Sequence, residues 1–362
     1  RSVNEFSGDW ENIGPVMLPS SQNSYWGNGR INGIAFHPTD ADIFYAGAPA
    51  GGLWKTADGG QNWEPLTDGQ PTLGVSTIIV DYIDPDIIYV GSGDRDAGDA
   101  AGMGVFKSID GGETWAQSNT GMGFITVKRM VQHPTINDII FAMTSAGIFK
   151  TTDAGQNWEQ KISGNGGDLL FKPDDPSVMY AVKGAKFWRS TDMGETWQLI
   201  TSGLPSTANR SVIAVSPDQP EYVYFLATVN NSFFGIYRSI DGGTSFELRS
   251  STPNIMGPDC NGGAGGQANY DLDLAVDPLD AEIIYAGGIN CWKSIDGGQT
   301  WFLISDQTGE CGTFPVHADL HVLEYNPIDG KLYVGNDGGI WWTDNGGTTW
   351  NRIVDGLAIG QQ

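Results

Sequence analysis

One octapeptide pattern, Ser/Thr-x-Asp-x-Gly-x-Thr-Trp, returns seven times in 362 residues and leaves few folds open to the chain. It reads TADGGQNW from Thr56, SIDGGETW from Ser108, TTDAGQNW from Thr151 and STDMGETW from Ser190. SIDGGTSF from Ser239, SIDGGQTW from Ser294 and TDNGGTTW from Thr343 complete the series. The acidic slot is filled by Asp58, Asp110, Asp153, Asp192, Asp241 and Asp296, with Asn345 in the seventh copy. Successive copies are 39 to 55 residues apart, a period that marks one supersecondary unit per repeat.

The segments between copies identify that unit. Each holds a short apolar run, a turn with Pro or Asp, and a second run ending near Tyr-x-Gly. Examples are GIAFHPTDADIFYAG from Gly33 and TIIVDYIDPDIIYVG from Thr77. A third run such as GLWKT precedes the octapeptide, and a fourth such as NWEPL or TWQLI follows it. Four short runs rich in β-branched and aromatic residues, bounded by turn residues, predict a four-stranded antiparallel meander. Repeated radially, such meanders form a propeller, which protects its sheet edges by closing into a ring. The expectation is an all-β, seven-bladed propeller over residues 1–362, with the octapeptide as the hairpin between strands three and four. Its Asp and Ser/Thr side chains are predicted to bond the turn backbone, and its Trp to bury against the neighbouring sheet.

The octapeptides resemble the Asp-box, or BNR repeat, shared by sialidases, sortilin-type receptors, family 74 xyloglucanases and photosystem assembly factors. The resemblance implies a propeller with the boxes on its outer rim, so that the box aspartates are structural and the chemistry lies at the central channel. Family 74 enzymes have tandem propellers, which leaves this chain open to being the first disc of a longer protein. The strand-like DWENIGP from Asp9 is expected either to join blade seven in closing the ring or to belong to such a larger arrangement.

Charge and cysteines narrow the surroundings. A formal net charge of −24 argues against nucleic acid and anionic membrane surfaces, which need basic patches. No stretch has the apolar length of a membrane helix. The start at Arg1, the low Lys content and the repeat predict a processed, secreted or cell-surface bacterial protein. Cys260 and Cys311 lie in Gly-rich loops entering the inner strands of blades six and seven, which allows a disulfide between them, against the plainer reading of three free thiols. Cys291 falls inside an apolar strand.

Functional candidates are the polar residues expected at the channel: Arg30, Asn32, Lys128, Arg129, Asp168, Arg210, Tyr270, Asp271, Asp273, His317, Asp319, His321 and Asp337. The segment VHADLH from Val316 is the densest group. Strand alternation would put His317, Asp319 and His321 on one face, as a divalent-metal site or as a hydrogen-bonded network pinning the last blade to the first. Asp94, Asp96 and Asp99 in GSGDRDAGDAAGMG offer oxygen ligands of the kind calcium takes, against the plainer reading of a solvated loop. RINGIAFHP resembles the family 74 segment that carries a catalytic Asp, and Asn32 stands at the matching position. Asparagine cannot transfer a proton as that Asp would. The leading expectation is a non-catalytic module that binds a polysaccharide or protein through Arg30, Asn32, Arg210, Tyr270, His317 and His321. The alternative is a glycoside hydrolase related to family 74, with a carboxylate pair drawn from Asp271, Asp319 and Asp337.

Overall fold

The computed structural model describes residues 27–353 and 355–359. The expected Asp9 strand lies outside the described residues. The chain forms seven antiparallel sheets, each built from strands consecutive in sequence. The innermost strands are Gly33–Phe36, Val75–Val80, Val127–Gln132, Asp168–Lys172, Arg210–Val215, Asp273–Asp277 and Leu320–Tyr325. Each touches the next, and the last touches the first. The chain is therefore a closed seven-bladed β-propeller, as the repeat predicts. Blade six carries one element the repeat does not contain. A fifth strand, Phe314–Pro315, runs parallel to the outer strand Phe302–Asp306.

The core is distributed. Among the described residues, one apolar cluster fills each junction between adjacent blades, and Ile31, Phe44, Val322 and Tyr333 join blade seven to blade one. This follows from the two-residue to nine-residue strands: each sheet is too small to bury both faces alone, so each face is covered by a neighbour. No helix of the described residues is long and apolar enough to cross a membrane.

The repeated hairpin is a self-bonded turn. In the third copy, Asp153 Oδ1 accepts from Thr151 Oγ1 at 2.8 Å and from the Asn157 amide at 2.8 Å, while Gly155 N–H donates to Thr151 Oγ1 at 3.0 Å. Trp158 closes the hairpin, 5 % exposed, and donates its indole N–H to Ser118 O of blade two at 2.7 Å. In return Tyr89 of blade two donates to Ala154 O of that hairpin at 3.1 Å. The Tyr-x-Gly strand and the hairpin thus staple neighbouring blades. The Trp burial is uneven: Trp158, Trp301 and Trp350 are buried, whereas Trp63, Trp115 and Trp197 are only partly so. Cys260 and Cys311 form a disulfide that closes a 51-residue separation, and Cys291 is a buried free thiol.

Candidate functional site

The loop after the second strand of blade two dives into one mouth of the channel. Its charge and glycine content favour a solvated loop, yet the Asp94 and Asp96 side chains are both 0 % exposed. Asp94 faces blade one: its Oδ2 accepts from Arg30 Nη2 at 2.7 Å and its Oδ1 from Asn32 Nδ2 at 3.0 Å. Two turns of the loop are fixed by the same carboxylate, through the Asp96 and Asp99 amides at 3.0 and 3.1 Å. Asp96 reaches across the channel, with Oδ1 2.7 Å from Arg210 Nη2 of blade five and Oδ2 3.0 Å from His321 Nδ1 of blade seven. Arg95 donates to His321 O. The long Gly-rich loop is a plug, held because burying these carboxylates demands charged partners. The Asp99 side chain stays 63 % exposed and pairs with Arg30 at 3.2 Å.

His321 is the hinge of the network. Its Nε2 lies 2.9 Å from Asp337 Oδ1, so both ring nitrogens face carboxylates. Only the imidazolium donates to both. Burial by itself would lower the His321 pKa, but the bonds to Asp337 and Asp96 outweigh it and raise the pKa. Burial would likewise raise Asp96, yet Arg210, Arg95 and His321 hold its carboxyl far below the usual range. Tyr270 donates to Asp337 Oδ2 at 2.8 Å, meets the His321 ring edge-on at 4.8 Å, and lies 5.2 Å under the Arg30 guanidinium. Arg30, Asn32, Arg210, Tyr270, His321 and Asp337 therefore come together around the blade-two loop.

The expected common face for His317, Asp319 and His321 is not formed. The inner strand begins only at Leu320, and Asp319 precedes it with φ of +64°, which breaks the alternation. His317 turns away and packs against Gly338, while Asp319 bonds Gln267. Among the described residues no group of three or more His, Cys, Asp or Glu side chains is placed to hold a metal ion. That includes Asp94, Asp96 and Asp99, whose oxygens already face Arg30, Arg210 and His321.

Asp271 differs from every other acid at the mouth. It is 0 % exposed, and neither carboxyl oxygen bonds another described residue. Burial, and then the charge of Asp319, push its pKa up to about 8. Burial also raises Asp319, with Asp337 adding to the effect. Below the plug, Arg129 sits 3.8 Å from both Asp168 and Glu324, linking blades three, four and seven across the channel. Asp273 caps the Leu323 amide at 2.7 Å. The plug was missed because its partners are distant in sequence. The signal present was Arg95 standing among three aspartates in a loop too long for a hairpin.

No protein-family model matches the chain. A xyloglucanase of Paenibacillus sp is 25 % identical over 363 aligned residues, covering 90 % of this chain and 26 % of that enzyme. Xyloglucanase Xgh74A of Acetivibrio thermocellus is 33 % identical over 98 residues, 25 % of this chain and 12 % of that enzyme. The GH74 xyloglucanase structure from Xanthomonas campestris superposes with a TM-score of 0.68 at 17 % identity, over 92 % of this chain and 56 % of that one. The chain thus spans only part of the length of the proteins it resembles, and the structural likeness shows the fold.

Proposed function

We propose that this propeller acts on a polysaccharide, outside the cytoplasm, as a relative of the family 74 xyloglucanases, with the plugged channel mouth as its working face. The sequence relatives named as xyloglucanases support the substrate class, and the Cys260–Cys311 disulfide supports the compartment. The chemistry this mouth supports best is glycoside hydrolysis, and the observation that carries it is the contrast between Asp271 and its neighbours. A glycosidase needs one carboxyl that keeps its proton at working pH beside one able to take a proton. Asp271, with its pKa near 8, fits the acid, and Asp319, half-buried and held by Gln267, fits the base.

Binding without cleavage is the second reading. It is favoured by Asn32, which stands where the family 74 resemblance places an acid and is spent on Asp94, and by the complete burial of Asp271. A single assay separates the two: reducing-sugar release from xyloglucan and a panel of other neutral and acidic polysaccharides, beside retention of the protein on the same polymers. Hydrolysis predicts release that falls by about 10²-fold or more in Asp271→Asn and Asp319→Asn. Retention without release supports the binding module. Neither retention nor release on any polymer overturns the polysaccharide reading.

A further inference from the structure

The chain carries a formal charge of −24, yet one cavity runs against that balance. Beside the plug, between blades three to six, lies a cleft of about 310 Å³ lined by Arg95, Lys128, Arg129, Lys183 and Arg210. Its acidic lining is Asp96, Asp168 and Asp273, leaving an excess of two positive charges. The acids are already committed. Asp96 serves Arg210 and His321, Asp168 lies 3.8 Å from Arg129, and Asp273 caps a backbone amide. Lys128 and Lys183 make no ion pair within 4.0 Å among the described residues.

Like charges gathered at a partly desolvated wall repel, and a solvated anion placed between them relieves that repulsion. Burial, then Arg210 and Lys183, lower the Lys128 pKa, against the opposing pull of Asp96. Amide side chains rim the same cleft, from Asn165, Asn209 and Asn269. Asn209 Oδ1 accepts from the Asn230 amide at 2.7 Å, so its carbonyl oxygen is already used. Cations plus amide donors suit an oxyanion attached to a polyol, and the cleft is of the size that takes a small ligand or one unit of a larger one.

We propose that this cleft binds an anionic sugar unit, a uronate or a sulfate ester, through Lys128 and Lys183. The proposal rests on the polysaccharide reading above and narrows it to a charged glycan, or to a neutral one with charged substituents. Charge complementarity of this kind sets selectivity between otherwise similar polymers.

The test measures binding of the intact protein to polygalacturonate, dextran sulfate and neutral xyloglucan by affinity electrophoresis at low salt. At least one acidic polymer is expected to bind about tenfold tighter than xyloglucan, and to weaken steeply as salt screens the cleft. The K128Q/K183Q double variant, checked for an unchanged melting temperature, should lose about tenfold of that affinity. Preference for polygalacturonate or for dextran sulfate identifies the anion. Retention of xyloglucan with neither acidic polymer bound overturns this inference and leaves the polysaccharide reading standing. Acidic binding that is equal in the double variant also overturns it. Binding of none of the three removes both.

Discussion

Asp96 and His321 are 225 residues apart in the chain and 3.0 Å apart at the channel mouth. The contact ties a loop of blade two to the inner strand of blade seven, while the other oxygen of Asp96 holds Arg210 of blade five. One carboxylate thus fixes three sectors of the ring. Asp96→Asn leaves a buried imidazolium and a guanidinium short of their counter-charge. The expected loss is about 3–5 kcal/mol in urea unfolding. Asp99→Asn, at an exposed side chain on the same loop, should cost less than about 1 kcal/mol. Equal losses for the two would mean that the plug does not hold the mouth together.

Asp271 predicts the pH dependence. Its folded pKa of about 8 stands well above the value of 3.8 for the open chain, so the fold prefers the proton. Its contribution is fully present below about pH 4 and is lost as pH rises towards 8, by roughly 1 kcal/mol per pH unit through that window. His321 adds a loss of the same sign as pH rises above its unfolded value, because its folded pKa is raised as well. Asp271→Asn removes the first component only. Urea denaturation between about pH 4.5 and 9 should show a flatter decline for the variant. Parallel curves for variant and parent would show that Asp271 is not a protonated acid in the fold.

The ring was legible because its information is local. Each hairpin is fixed by residues within four positions of its Asp, and each strand by its own short apolar run. The mouth is written differently. Arg30, Asp94, Asp96, Arg210, His321 and Asp337 come from four blades, and no short window of sequence contains one of their pairings apart from His321 with Asp337. Composition made the Asp94–Asp99 stretch look solvated, since charge and glycine usually mean exposure. Partners contributed by other blades reversed that. VHADLH misled for a smaller reason: alternation holds only inside a strand, Asp319 stands before the strand in a left-handed conformation, and the pairing shifts register between Leu320 and Val322. The added fifth strand of blade six has no counterpart in the repeat, so periodicity could not announce it.

The hairpin residues should separate by burial. Trp158→Ala removes a 5 % exposed ring that also bonds the previous blade, for an expected loss of about 3–5 kcal/mol. Trp115→Ala should cost less, because that ring is only partly buried although its N–H still reaches Leu66 O at 2.9 Å. Asp153→Ala breaks turn bonds at a half-buried side chain and should cost least of the three. Thermal melts in which Asp153→Ala is the most damaging would place the strength of the repeat in the turn and not in the blade junction.

The cysteines give the most direct chemical check. Cys260 and Cys311 cross-link the loop before the inner strand of blade six to the loop after its outer strand, and the bridge limits the unfolded chain over its 51-residue separation. Replacing both by Ser should lower stability by about 2–4 kcal/mol, and reductant should have a matching effect on the parent protein only. Cys291 behaves differently. It is 0 % exposed, and burial pushes its thiol up to about 12, so it is neither accessible nor ionised at neutral pH. A thiol reagent should find no reactive group in the native, unreduced protein. Denaturation without reductant should release one thiol, and denaturation with it all three. A single thiol reacting before unfolding would place Cys291 at the surface, and would contradict the close packing of blades six and seven on which the position of Leu320, and with it His321, depends.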